Sequence, residues 1–216
     1  MLKSIVSFPS DSSLFISKPR NQQSERLVTY YELYKLIKHL NGSIIKCGIT
    51  TDEAFSYFSF FKQMNQYRKQ PLVAFEKNPS IFEIGKHTEE YQSETLAVKN
   101  VASKAIGLAQ QNLIDAGVSE KIEFVPGLLN NSIPEYLIEN PELKIALLTI
   151  DIDDYESTLT AMQYFYPRIV NGGILIMNNY YKKSAESLAI QEYFYNEDVI
   201  VRHFSLEKGP HYIVKA

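Results

Sequence analysis

The chain has 216 residues, 45% of them hydrophobic, with a formal charge of -3 and a single cysteine. That is enough apolar material for one full core, and the mild negative charge gives no electrostatic reason to expect nucleic acid or an anionic membrane as partner. A lone thiol, Cys47, excludes an internal disulfide, and no apolar run nears the roughly 20 residues of a membrane helix.

The opening apolar stretch before Pro9 is too short for a secretory signal, so the expectation is a soluble, cytoplasmic protein. Residues 1–25 are mixed and carry Ser, Pro and Gln without a sustained period, which reads as an extended lead-in or lid. The domain proper is expected over residues 26–216. It begins with a helix over 26–40, with Leu27, Tyr31, Tyr34, Ile37 and Leu40 at near-helical spacing and Asn41-Gly42 as its stop. A short strand over 43–47 follows and ends at Gly48. Asp52 suits the N-cap of the next helix, through Phe55, Phe58, Phe61 and Met64, an aromatic stripe with core spacing. Residues 71–76 form a second strand, ending in the acid Glu76.

The pattern breaks over 77–92, which reads as a surface loop, and residues 94–116 read as a helix ended by Gly117. A third strand spans 121–125, before Pro126-Gly127, and a short helix spans 132–138. After the strand over 144–150 comes a helix over 155–166, terminated by Pro167 and Asn171-Gly172-Gly173. A fifth strand over 174–177 runs into Asn178-Asn179-Tyr180. A polar helix over 183–195 precedes two final strands, near 199–205 and 212–214. The Glu-Lys-Gly-Pro between them suits a hairpin. Strand and helix thus alternate five times before an antiparallel close, which implies a parallel sheet covered on both faces with right-handed crossovers.

The stretch from Lys144 to Tyr155 organises this pattern. It is an unbroken apolar run that ends in Asp151, Asp153 and Asp154. A run without alternation reads as a strand buried on both faces, and in open α/β sheets ligands sit at the carboxyl ends of the strands. Asp154, with Asp153 beside it, suits the start of the following helix. Asp151 closes the buried strand itself, where an acid needs a partner or a chemical role.

These residues carry a family resemblance. The segment Ile145-Ala-Leu-Leu-Thr-Ile-Asp-Ile-Asp-Asp-Tyr-Glu-Ser-Thr158 resembles the signature of the macrocin O-methyltransferase (TylF/MycF) family, close to A-L-L-R-L-D-G-D-L-Y-E-S-T. Tyr166-Pro167-Arg168 through Gly172-Gly173 resembles its L-Y-P-K-L-x-x-G-G, and Phe124-Val125-Pro126-Gly127 with Ile133-Pro134 its F-x-x-G…T-L-P. Leu96-Ala97-Val98 with Gln111-Asn112-Leu113 is similar to its L-A-V…E-N-F helix, and Ser24-Glu25-Arg26-Leu27 to its lead-in helix. The similarity runs in consistent order from about residue 24 to the C-terminus.

The resemblance implies a Rossmann-like class I methyltransferase fold: a mostly parallel seven-stranded sheet with helices on both faces and a C-terminal antiparallel hairpin. It implies S-adenosylmethionine-dependent methylation of a hydroxyl, in the family usually on a sugar, with a divalent metal such as Mg2+, and association into homo-oligomers. A sugar hydroxyl is a poor nucleophile, so such chemistry calls for a base and a charge that orients the oxygen. By position, Asp151 matches the family's metal ligand and candidate base, and Asn178 and Asn179 match its D-D-Y pair at the metal. Gly48, Glu76 and Gly127, together with Asp151, fall on the cofactor side, where Glu76 can accept from ribose hydroxyls.

The departures are as informative. The family's loop E-C/T-G-V-W-R-G-G reads here Lys46-Cys47-Gly48-Ile49-Thr50-Thr51-Asp52: Lys46 replaces an acid and the later glycines are gone. Asn178 stands where an Asp is expected, which weakens a magnesium site. Two readings follow. One is an active O-methyltransferase, and the other is a catalytically degenerate protein of the same fold that serves as a binding or scaffold module. The histidines His39, His87, His203 and His211 lack metal-ligand spacing, and His87, in the loop after the second strand, is the one worth testing.

Overall fold

The structure, a computed structural model, describes residues 6–8, 22–48, 53–64, 70–76, 122–181, 183–204 and 209–216. The loop expected over 77–92, the helix over 94–116, Asp52 and His87 lie outside the described residues. The strands are β1 (Val6–Phe8), β2 (Ser43–Cys47), β3 (Leu72–Glu76), β4 (Ile122–Pro126), β5 (Ile145–Ile150), β6 (Ile169–Met177), β7 (Arg202–Phe204) and β8 (His211–Val214). The helices are α1 (Gln22–Ile37), α2 (Glu53–Met64), α3 (Leu129–Glu139), α4 (Tyr155–Phe165) and α5 (Ala185–Tyr193).

All eight strands join one sheet in the order β1-β7-β8-β6-β5-β2-β3-β4. β2, β3, β4, β5 and β6 pair in parallel, and β8 runs antiparallel between β6 and β7. This is the expected seven-stranded arrangement with its antiparallel close, and β1 adds a short edge strand parallel to β7. Val6–Phe8, read from the sequence as part of a lead-in or lid, is therefore sheet.

Every residue of β2, β3 and β5 is buried, because helices cover both faces. Side chains alternate across the sheet. Ile44, Leu147 and Ile176 pack with Tyr30, Leu33, Tyr34 and Ile37 of α1 and Phe58 and Phe61 of α2. Ile45, Phe75, Leu148 and Met177 pack on the opposite face with Leu129, Ile133, Phe165 and Ile190 of α3, α4 and α5.

Three sequence expectations need adjustment. The buried stripe of α1 is Tyr30-Leu33-Tyr34-Ile37, because the i, i+3, i+4, i+7 set starting at Tyr30 is the one that packs on the sheet, while Tyr31 is exposed and only edges Phe61 of α2. Met64, at the end of α2, is exposed and lies beyond the core stripe. Asn171-Gly172-Gly173 does not stop a helix but lies inside β6. Ile145 pairs with Ile169 and Leu147 with Ile174, so the extra residues of β6 form a bulge, with Gly172 at φ +79°. Gly173 is required there, since a Cβ would sit 2.6 Å from the Ile169 side chain and 2.8 Å from the Val170 carbonyl. Among the described residues no helix is long and apolar enough to cross a membrane.

Candidate active site

The connections from β2 lead outward to β3 and β4 on one side, while β5 and β6 lie on the other. The crevice where strand order reverses is where open α/β sheets take their ligands. Five of the residues singled out from sequence stand at this carboxyl edge: Gly48 after β2, Glu76 at the end of β3, Gly127 after β4, Asp151 after β5 and Asn178 after β6. Backbone hydrogen bonds stitch the edge together. Gly48 N donates to Phe75 O at 2.9 Å, Gly127 N to Glu76 O at 3.0 Å, Asp151 N to Cys47 O at 2.9 Å and Asn178 N to Ile150 O at 3.1 Å.

Gly48 has φ +88°, and a Cβ there would lie 2.2 Å from the Asp151 carbonyl oxygen. Only glycine allows the turn after β2 to lie this close to the end of β5, which brings the loop after β2 and the acid together. Gly127 has φ +129° but has room for a Cβ, whose nearest contact would be the Ser132 side chain at 3.6 Å.

Asp151 is held by two donors. Asn179 Nδ2 donates to its Oδ1 at 3.0 Å, and the Lys46 ammonium lies 3.3 Å from its Oδ2. The lysine reaches it for a reason of register. Lys46 pairs across the sheet with Thr149, which shares a face with Asp151 two residues on. The side chain then runs along that face toward the crevice and is only 1% exposed, whereas that of Asp151 is 22% exposed. Asp151 therefore presents its outer edge to the crevice with a buried cation behind it.

A second layer supports this pair. Tyr30 of α1 donates its hydroxyl to Asn178 Oδ1 at 3.0 Å, and Asn178 Nδ2 is buried without a hydrogen-bond partner. Asn179 N donates to Glu186 Oε1 at 3.0 Å, and Ser184 Oγ donates to Asn179 O at 2.6 Å while capping α5. Glu186 is fully buried, and burial pushes its carboxyl up to about 8, against the pull of the Asn179 amide and with a further push from the Asp151 charge. Asp154 is a helix cap, as expected, accepting from Ser157 N at 2.9 Å. Cys47 is buried and its thiol is pushed well up by desolvation, so it is a core residue.

The metal site expected of Asp151, Asn178 and Asn179 does not fit this donor set. Magnesium takes near-octahedral hard oxygens, usually with one or two carboxylates. Here the single carboxylate has both oxygens engaged by N–H donors, one of them a full positive charge, and the Asn178 oxygen accepts from Tyr30. The Lys46 ammonium, 3.3 Å from Asp151, offsets that carboxylate's charge and so weakens its pull on a dication. Among the described residues no three His, Cys, Asp or Glu cluster as metal ligands do.

Sequence reasoning noticed Lys46 only as a departure and did not find Tyr30, Ser184 or Glu186. A charged residue in the buried run Ser43–Cys47 was a usable signal, because a buried ammonium needs an anion. Glu186 carried none, since an acid in the first turn of a helix is ordinarily explained by the macrodipole.

Residues 40–204, well over half of the chain, match the family model of macrocin O-methyltransferase (TylF). Among solved structures the fold is similar to that of CalS11, a TDP-rhamnose 3'-O-methyltransferase of calicheamicin biosynthesis, at 19% identity and a TM-score of 0.68, over 90% of this chain and 80% of that one. It is also similar to the O-methyltransferase NovP, at 16% identity and a TM-score of 0.66, over 89% and 80%. At such identities the likeness concerns the fold. No curated protein gives a sequence match.

Proposed function

The chain belongs to the macrocin O-methyltransferase (TylF) family, whose chemistry is S-adenosylmethionine-dependent O-methylation, and from that premise we propose that it methylates a hydroxyl of a sugar-like small molecule. The observation that supports this most is the gathering of Gly48, Glu76, Gly127 and Asp151 along one carboxyl edge at the reversal of strand order. One structural neighbour, CalS11, is a TDP-rhamnose 3'-O-methyltransferase, and its acceptor supports the same class.

The crevice suits the cofactor. Glu76 places a carboxylate at the end of β3, where it can accept from ribose hydroxyls, and Gly48 and Gly127 carry left-handed backbone with no side chain on either side of it. When bound, S-adenosylmethionine supplies an electrophilic methyl group on a positively charged sulfur.

Asp151 is assigned the role of base. Each carboxylate oxygen has two lone pairs, so the donors from Asn179 and Lys46 leave capacity for a third partner on the exposed edge. An acceptor hydroxyl bound there would donate its proton to Asp151 as its oxygen takes the methyl group. Asn179 fixes the carboxylate, and Glu186 and Ser184 fix Asn179. Most of the rate then comes from holding two reactants in line. No step here runs through a metal ion.

The test is methyl transfer from S-adenosylmethionine across a panel of nucleotide-linked and free deoxysugars, read by mass spectrometry. Gain of one methyl group on a sugar hydroxyl, lost in Asp151→Asn, is the expected result. A folded protein that binds the cofactor product but methylates no hydroxyl compound would favour the binding-module reading instead.

A further inference from the structure

The family resemblance calls for a divalent cation beside the acid that ends β5, and this crevice holds a lysine there. We propose that Lys46 is the built-in counter-cation of Asp151, a positioning residue that supplies from within β2 the positive charge a metal would otherwise bring, so that the crevice works without a metal ion. The inference deepens the O-methyltransferase reading and rests on it only for the identity of the reaction.

Four observations carry it. Lys46 is almost wholly buried, and a lysine is rarely left so unless an anion meets it. Its ammonium, on a side chain that is 1% exposed, is 3.3 Å from Asp151 Oδ2, while the Asp151 side chain is 22% exposed. Register places it there: Lys46 opposes Thr149, and Asp151 follows on the same face. The remaining groups at the position the resemblance gives to the metal, Asn178 and Asn179, are amides, and the Asn178 oxygen already accepts from Tyr30. A dication bound to Asp151 would meet an ammonium across one carboxylate, a repulsion that a low-dielectric edge magnifies.

The arrangement differs from a metal site in what it can do. A metal would contact the acceptor oxygen directly, whereas the Lys46 ammonium lies behind Asp151 and acts through it. It holds one carboxylate oxygen in place and balances its charge, which keeps the outer edge aimed at the crevice. Lys46 is therefore not a catalytic residue in the sense of touching substrate.

The deciding experiment needs no acceptor. Mn2+ binding, followed by electron paramagnetic resonance, and S-adenosylhomocysteine binding, followed by calorimetry with and without EDTA, are measured on the full chain and on Lys46→Arg, Lys46→Gln, Lys46→Glu and Asp151→Asn. The expected result is no stoichiometric Mn2+ site in the natural chain or in Lys46→Arg, and homocysteine-product binding indifferent to EDTA. Lys46→Glu, which turns a neutral pair into two acids, is expected to bind Mn2+ at least about tenfold more tightly than the natural chain, with Lys46→Gln between them. A merely structural lysine would not produce that order of Mn2+ affinities. An Mn2+ site in the natural chain that Asp151→Asn abolishes would overturn the proposal, even if no Lys46 variant folded. A folded Lys46→Glu protein that takes up no Mn2+ would overturn it as well. Absence of homocysteine-product binding would instead strike the methyltransferase reading, leaving the Mn2+ result to stand by itself.

Discussion

Replacing Gly48 by alanine tests how the crevice is built. The backbone at Gly48 has φ +88°, a region in which a side chain costs about 1–3 kcal/mol. The added Cβ would lie 2.2 Å from the Asp151 carbonyl oxygen and 3.0 Å from its carbon. Ordinary C···O contacts lie near 3.3 Å or beyond, so the backbones must separate by about 1 Å. The obstacle is main chain, which cannot rotate away as a side-chain end could. Separation would also stretch the 2.9 Å bond from Asp151 N to Cys47 O. Overpacking of this kind adds about 1–3 kcal/mol. Gly127→Ala is the matched control, because φ +129° carries the conformational cost while the Cβ meets nothing closer than 3.6 Å.

The reasoning therefore predicts that Gly48→Ala melts below Gly127→Ala by about 2–12 °C, at roughly 2–4 °C per kcal/mol for a chain of this size. Thermal unfolding followed by circular dichroism reads the difference. Equal melting temperatures would refute the claim that β2 and β5 meet through a contact only glycine allows.

Further predictions follow from the same site. Asp151→Asn is expected to destabilise more than Lys46→Met, because it leaves a buried ammonium short of its carboxylate. The loss is about 3–5 kcal/mol for the former and less for the latter, whose remaining acid still reaches solvent. Urea unfolding of both variants would show the order, and the reverse order would contradict the buried-cation account. Tyr30→Phe removes the donor to Asn178 Oδ1 and is expected to cost about 1–3 kcal/mol in the same assay. No loss would mean that the bond from α1 to the β6 terminus contributes nothing. Glu186, raised from 4.5 to about 8, binds its proton more tightly folded than unfolded. Its contribution to stability is therefore fullest below pH 4.5 and is lost as pH rises through about 8. The natural chain should lose stability across that window by up to about 1.4 kcal/mol per pH unit relative to Glu186→Gln, and parallel pH profiles would rule this out.

Much of the fold was legible because the buried strands announce themselves. The apolar runs at β2, β3 and β5, with punctuation at Gly48, Glu76 and Asp151, point to both the parallel sheet and its carboxyl edge, where such sheets take ligands. The boundaries of β6 were less legible, because Asn171-Gly172-Gly173 spells a turn locally while β5 and β8 hold it in the sheet as a bulge. Gly172 N and Lys215 N each bond across to the other strand. The stripe of α1 was misplaced by one position at Tyr30 because aromatic neighbours at 30 and 31 satisfy the helical period almost equally. The site was legible in its positions but not in its pairing. Asp151 and Asn179 meet at the strand ends, yet the cation that meets Asp151 comes from β2, distant in sequence, and spacing along one segment cannot reveal a partner across a sheet.

The central claim, that this carboxyl edge is a cofactor crevice, is most directly tested by titration calorimetry of the full chain with S-adenosylhomocysteine in EDTA. The account predicts saturable binding at one site per chain, weakened in Gly48→Ala. A folded protein that takes up none of the homocysteine product would contradict it.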